Sequence, residues 1–173
     1  VVHDSIDAGV ASSGFDALYN NVSIAGAASF TLLVKKAGSE GVLYTITSIS
    51  ERIVAIAWAV NGAGGIDAYG TNASGTGTTA TVPAVTTTQA DTLRISIVAT
   101  DSSNTTTPIG TASGHTEMAE LFGTSAGGLS IQYKTLSGAG ADASQTASLN
   151  ASDQWLGVTL AIANVVEVRS TKA

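Results

Sequence analysis

The sequence predicts an all-β protein, a two-layer antiparallel β-sandwich of jelly-roll type. Three observations predict it. Ala, Thr, Ser and Gly supply 90 of the 173 residues, a balance that lacks the Leu, Glu, Lys and Gln that a helical bundle needs in quantity. Several segments alternate side-chain character with a period of two. Clusters of Gly, Asn, Asp and Ser separate these segments at short intervals, with no helical pattern between them, which is the spacing of sandwich strands. A hydrophobic content of 44% is enough to build a core, and a chain of this length hides roughly 70% of its unfolded surface.

The most regular strand is Thr92–Thr100, where Leu93, Ile95, Ile97 and Ala99 alternate with Thr92, Arg94, Ser96, Val98 and Thr100; this predicts a half-buried strand. Between Arg52 and Val60, bulky Val54, Ile56, Trp58 and Val60 oppose Ile53, Ala55, Ala57 and Ala59, which predicts a strand covered on both faces. Leu156, Val158, Leu160 and Ile162 repeat the pattern opposite Trp155, Gly157, Thr159 and Ala161. Weaker strands are expected over Phe30–Lys36, Val42–Thr47, Thr79–Val85, Leu129–Leu136 and Gln145–Leu149, while Thr116–Phe122 reads as a strand or one helical turn. Turns fall at 37–41, 61–65, 101–104 and 137–142, all rich in residues that tolerate positive φ or bond their own backbone. The low-complexity stretch Gly70–Thr81 reads as an exposed loop entering an edge strand, because Pro83 cannot donate to a central ladder. With no fixed repeat and no long linker, residues 1–173 form one expected domain, with 1–30 as an arm or edge segment.

Composition excludes several function classes. The absence of cysteine removes disulfides, thiolate metal sites and a cysteine nucleophile. The net charge is −6, and Lys35–Lys36 is the only adjacent basic pair, so no nucleic-acid partner is expected; binding phosphate needs clustered cations. No run reaches the ~18 apolar residues that cross a bilayer, so no membrane partner is expected either. The chain begins at Val1, and its start carries no conclusion about secretion.

Few residues offer chemistry. His115 beside Glu117 suggests a base and its orienting carboxylate, but no Gly-x-Ser-x-Gly elbow accompanies them, and a loop histidine explains the pair as well. Asp4, Asp7 and Asp16, or Asp101 with Asn104, are oxygen ligands without the Gly and Glu spacing of a calcium loop. Glu117 and Glu120 are three apart, which on a regular strand places them on opposite faces. Four Asn-x-Ser/Thr matches, at Asn21, Asn72, Asn104 and Asn150, are near what chance gives in so Ser/Thr-rich a chain. No catalytic residue, cofactor or metal site is assigned. The best binding candidate is Tyr69 with Asp67 and Asn72, a ring with polar neighbours in an expected loop, suited to stacking on a pyranose of a host glycan; Trp58 and Trp155 read as core.

Taken in order, Arg52–Trp58, the Ser/Thr/Gly loop, Val82–Thr87 and Asp91–Asp101 resemble a β-sandwich domain recurrent in virion proteins of tailed bacteriophages. Downstream, Thr107-Pro108 leading to His115-Thr116-Glu117, the Ala/Gly-rich hairpin after Tyr133-Lys134-Thr135, and Leu149–Leu160 are similar as well. The resemblance covers residues 40–163 and lies in patterning and turn positions, so no functional residue is carried over. It implies a non-enzymatic structural protein on the virion surface, a capsid decoration, head fibre or tail module. Its implied partners are the major capsid or tail proteins and further copies of itself, as a trimer by analogy with decoration proteins. A carbohydrate-binding module centred on Tyr69 is the alternative.

Overall fold

The computed structural model describes residues 1–3, 10–36, 38, 44–47, 52–101, 108–123, 127–163 and 167–169. Among them are fourteen strands and no helix: β1 (Val2–His3), β2 (Asp16–Ile24), β3 (Ala28–Val34), β4 (Ile53–Val54), β5 (Ala59–Asn61), β6 (Gly65–Tyr69), β7 (Ala73–Val82), β8 (Val85–Thr87), β9 (Thr92–Thr100), β10 (Thr116–Gly123), β11 (Gly127–Leu136), β12 (Gly140–Asp142), β13 (Gln145–Ala163) and β14 (Glu167–Arg169).

The smaller sheet has the order β2-β3-β1-β4, and the larger the order β10-β11-β9-β13-β6, with β7 also paired to β13. All recorded strand pairs are antiparallel. The sheets pack face to face as a sandwich; their orders do not single out jelly-roll connections. From the first thirty residues, β1, β2 and the start of β3 enter the smaller sheet, with β2 at its edge and β1 as an inner strand between β3 and β4. The main core joins Val2, Ile24, Phe30, Leu32 and Val54 of the smaller sheet to Leu93, Ile95, Ile97, Leu129, Ile131, Leu156, Val158 and Leu160 of the larger. This is the apolar half of the period-two pattern, brought inward by burial of apolar surface.

The opposite face of the larger sheet is also covered, because the β7–β13 ribbon doubles back. Its register jumps from Ser148↔Thr79 to Asp153↔Gly77, so residues 149–152 face only Thr78, an insertion that turns the ribbon. Gly77 turns with it, at φ 154°. Gly157 pairs with Ala73, yet a Cβ at Gly157 would overlap the Thr81 carbonyl oxygen and lie 3.3 Å from Val82 Cα. A straight strand would carry Thr81 about 26 Å away from Ala73, so only a folded ribbon allows both contacts. The fold encloses a second core of Ala80, Val82, Val98, Ile109, Ala112, Ala147, Leu149 and Trp155. Gly75, paired with Trp155, leaves room for the indole, whose Cζ2 would lie 2.9 Å from a Cβ there.

Several expectations change. Thr92–Thr100 is a strand, but all nine residues are buried, because the ribbon covers the face expected to be wet. Arg52–Val60 is two short strands: β4 pairs with β1 and β5 with β14, so the chain crosses between sheets at 55–58 and its bulky residues pack without a ladder. Four of its nine residues, Arg52, Ile53, Ala57 and Ala59, are exposed. The low-complexity stretch is mostly strand β7, since β13 supplies a ladder that its own composition does not announce. Of Val42–Thr47 only 44–47 are described, and they contribute one bridge, Thr47 with Ala11. Thr116–Phe122 adopts the strand alternative.

Gly157→Ala is expected to lower the unfolding free energy by about 3 kcal/mol, since the obstacle is backbone that cannot swing aside. Gly138→Ala, where a Cβ meets nothing within 4 Å, should change it by less than about 0.5 kcal/mol. Urea denaturation midpoints of the two variants check this.

Candidate functional site

Strand β9 places Arg94 and Ser96 on the face under the ribbon, directly opposite Lys134 and Gln132 of β11. Arg94 is the largest side chain with no exposed surface. Two cations directly opposite each other repel, and Asp142 of β12 resolves this by bridging them: Arg94 Nη1 donates to Oδ2 at 2.5 Å and Lys134 Nζ to Oδ1 at 2.9 Å. Arg94 also donates from Nη1 to the Ala143 carbonyl and from Nη2 to the Pro83 carbonyl, both at 2.8 Å; Nε has no hydrogen-bond partner. Burial alone would raise the Asp142 carboxyl, but the hydrogen bonds and charges of Arg94 and Lys134 outweigh it and hold it below the usual 3.8.

His115 adjoins this cluster. Its Nδ1 lies 3.0 Å from the Ser113 carbonyl and its Nε2 3.0 Å from Ser96 Oγ. A carbonyl only accepts, so Nδ1 carries the proton, and in the neutral ring Nε2 accepts from the Ser96 hydroxyl. Burial, with Arg94 and Lys134 nearby, lowers its pKa from 6.5. Both ring nitrogens are thus engaged without Glu117, and Ser96 is wholly buried. Gln132 completes the layer, accepting from Ala112 N and donating to the Gly110 carbonyl, which fastens 110–112 over the sheet. The other histidine, His3, is buried in the smaller sheet against Ser29 Oγ at 3.1 Å.

The glycan candidates sit differently from their expected loop. Asp67 and Tyr69 belong to β6, and only Asn72, exposed, lies in the connection to β7. A register shift opposite Ala161/Ile162 leaves Asp67 without a pairing partner and turns it outward from the ladder. Its carboxylate accepts from Thr88 N at 2.8 Å and from Thr88 Oγ1, and the Thr88 hydroxyl, with Gln89, lowers its pKa. Tyr69 is 60% exposed, its ring edge-on to Tyr19 at 6.2 Å. Tyr19 anchors this corner by donating to the Gly70 carbonyl at 2.5 Å; burial first, then Tyr69, push its hydroxyl up to about 12. No hydrogen bond among the described residues joins Asn72 to Asp67 or Tyr69.

A bulge at Met118, between Glu117↔Gln132 and Ala119↔Ile131, resets the alternation of β10. Glu117 and Glu120 therefore approach each other, contrary to the regular-strand expectation. Burial raises Glu120, Glu117 adds to this, and the hydrogen bond from Ile109 N opposes it. Asp4, Asp7 and Asn104 lie outside the described residues, as do parts of the 37–41 and 101–104 turns. Among the described residues no three His, Asp or Glu groups converge as metal ligands. Trp155 is core, whereas Trp58 packs against the main core only partly buried.

The Arg94–Asp142–Lys134 cluster was missed by sequence reasoning. One signal existed: Arg94 is the sole charge within a nine-residue strand, and Asp142 the sole charge in a Gly/Ala hairpin. No protein-family model matches the chain, and comparison with curated proteins and with solved structures returns no match.

Asp142→Ala should lower stability by about 3 kcal/mol at pH 7, because the buried guanidinium loses its counter-ion; Lys134→Ala, whose side chain is 27% exposed, should cost under about 1 kcal/mol. Urea titrations separate the two. His115 sets a pH dependence. The unfolded chain takes up a proton near pH 6.5 that the folded chain refuses, so stability is full above 6.5 and declines as pH falls toward the lowered value. His115→Gln should flatten that decline in thermal melts taken from pH 7 to 5.

Proposed function

We propose that this chain is a non-enzymatic structural protein of a bacteriophage virion exterior, a capsid decoration or tail-associated component, acting through protein–protein contacts. The observation that carries this reading is the division of its side chains. Groups with chemical potential, Arg94, Ser96, Gln132 and Thr159, are buried in internal contacts, while large apolar groups, Tyr44, Ile46, Ile53, Ile66, Tyr69 and Leu121, lie exposed. Apolar surface of this kind is what an assembly buries. The resemblance of residues 40–163 to phage sandwich domains supports the same reading, with capsid or tail proteins as partners and a homotrimer as the form in solution.

A second reading, recognition of a host glycan, is favoured by Tyr69, whose ring is 60% exposed and packs near-perpendicular to Tyr19, leaving aromatic surface on which a sugar could stack. Asp67 contributes less than its position suggests, since Thr88 and Gln89 occupy its carboxylate. The two roles are compatible on one particle.

Immunogold electron microscopy of intact particles from the source culture tests the first reading: gold over heads or tails supports it. Particles left bare beside a well-labelled coat protein overturn it. Native mass spectrometry should give three times the 17.2 kDa of the chain. For the second reading, a glycan array should show binding that Tyr69→Ala abolishes; an array without binding by the parent chain removes it.

A further inference from the structure

Between β11 and β13 the chain makes an excursion over residues 137–144 in which every residue but Asp142 is exposed. Its three alanines, Ala139, Ala141 and Ala143, are all exposed and belong to neither core. What holds the segment is polar. Asp142 takes Arg94 and Lys134, the Ala143 carbonyl takes Arg94, and β12 pairs with β8 through Gly140↔Thr87, Ala141↔Thr86 and Asp142↔Val85. A segment without apolar anchorage has little to oppose opening once its charged contact is lost.

We propose that residues 137–144 are a charge-latched strap, closed while Asp142 is a carboxylate and released when it is protonated, freeing Nη1 of Arg94. The groups facing Asp142 decide the sign. Arg94 comes from β9, Lys134 from β11 and His115 from the approach to β10. Neither β8 nor the rest of the strap carries a charge. Above Asp142's titration the carboxylate holds both cations together. Below it, Arg94 and Lys134 face each other with no anion between them, which drives the strap away from the sheet. The apolar core between the sheets is built from Ile, Leu, Val and Phe contacts to which the strap contributes nothing, and the titratable groups buried beside it, the Val1 amine and His3, belong to the smaller sheet. This latch is independent of the virion reading.

The cysteine-free chain makes a direct test simple. A nitroxide attached through Ala141→Cys, on the exposed side of β12, reports strap motion by its electron paramagnetic resonance lineshape. Near-UV circular dichroism reports the sandwich. At pH 7 the label should be immobilised, and the mobile component should become dominant below pH 3.8 while the circular dichroism remains native. Adding Asp142→Asn should make the label mobile at pH 7. Lys134→Met, which removes one of the two cations holding Asp142 ionised, should move the transition to higher pH. The latch is overturned by an immobile label in a folded Asp142→Asn variant, or by strap and sandwich losing structure together in acid. If Asp142→Asn does not fold, an unshifted transition in Lys134→Met overturns it equally.

Discussion

A guanidinium with no exposed surface is the constraint on which one side of this fold depends. The Arg94 guanidinium left unpaired under a covering layer would cost several kcal/mol. Its partners must therefore come to it. They arrive from two separate places in the chain: the Pro83 carbonyl after β7, and Asp142 with the Ala143 carbonyl from the strap. Thr159 on β13 donates to the same Pro83 carbonyl at 2.9 Å, so the crossing at Pro83 is fixed from two strands at once. Pro83 suits this place because it offers an acceptor and needs no partner for an N–H.

Close approach makes those bonds possible. Along the covered face, β13 presents Gly157, Thr159 and Ala161 opposite Val98, Ser96 and Arg94, small side chains that let a backbone lie almost on the sheet. The doubled ribbon occupies that space, and its insertion at 149–152 sets where it turns. The two faces of the central sheet are thus built by different physics. One excludes water with interlocked Ile, Leu and Phe; the other combines a smaller apolar core around Val82, Val98 and Trp155 with close-packed backbone whose polar groups are matched by Arg, Gln, Ser and Thr. The second kind of packing is specific in register, since a shift of one residue would leave Arg94 and Gln132 without acceptors.

Much of the first face was legible from sequence. Leu93, Ile95 and Ile97, and Leu156, Val158 and Leu160, declare their strands by alternation because burial of apolar groups imposes the pleat's period directly. The second face was not legible. A polar residue in a strand reads as wet, and nothing local to Thr92, Arg94 and Ser96 announces a covering ribbon supplied from residues 73–85. The same non-locality hid β7, whose Ser, Gly and Thr form a strand only because β13 runs beside it. Bulges are another non-local effect: the one at Met118 shifts the alternation by one residue and brings Glu117 toward Glu120, and the one at Asp67, within a strand where a loop was expected, turns its carboxylate onto Thr88.

In a chain with only 12% charged residues, each charge is a strong local determinant. Asp67 and Asp142 are both of this kind. One holds the end of β8 through Thr88, the other holds β12 against the sheet, and β8 pairs with β12. The two carboxylates thus grip a single two-stranded flap from opposite sides. In this flap β8 also buries Val85, whereas β12 adds no buried apolar side chain, so the half that carries Asp142 depends most on its charged contact.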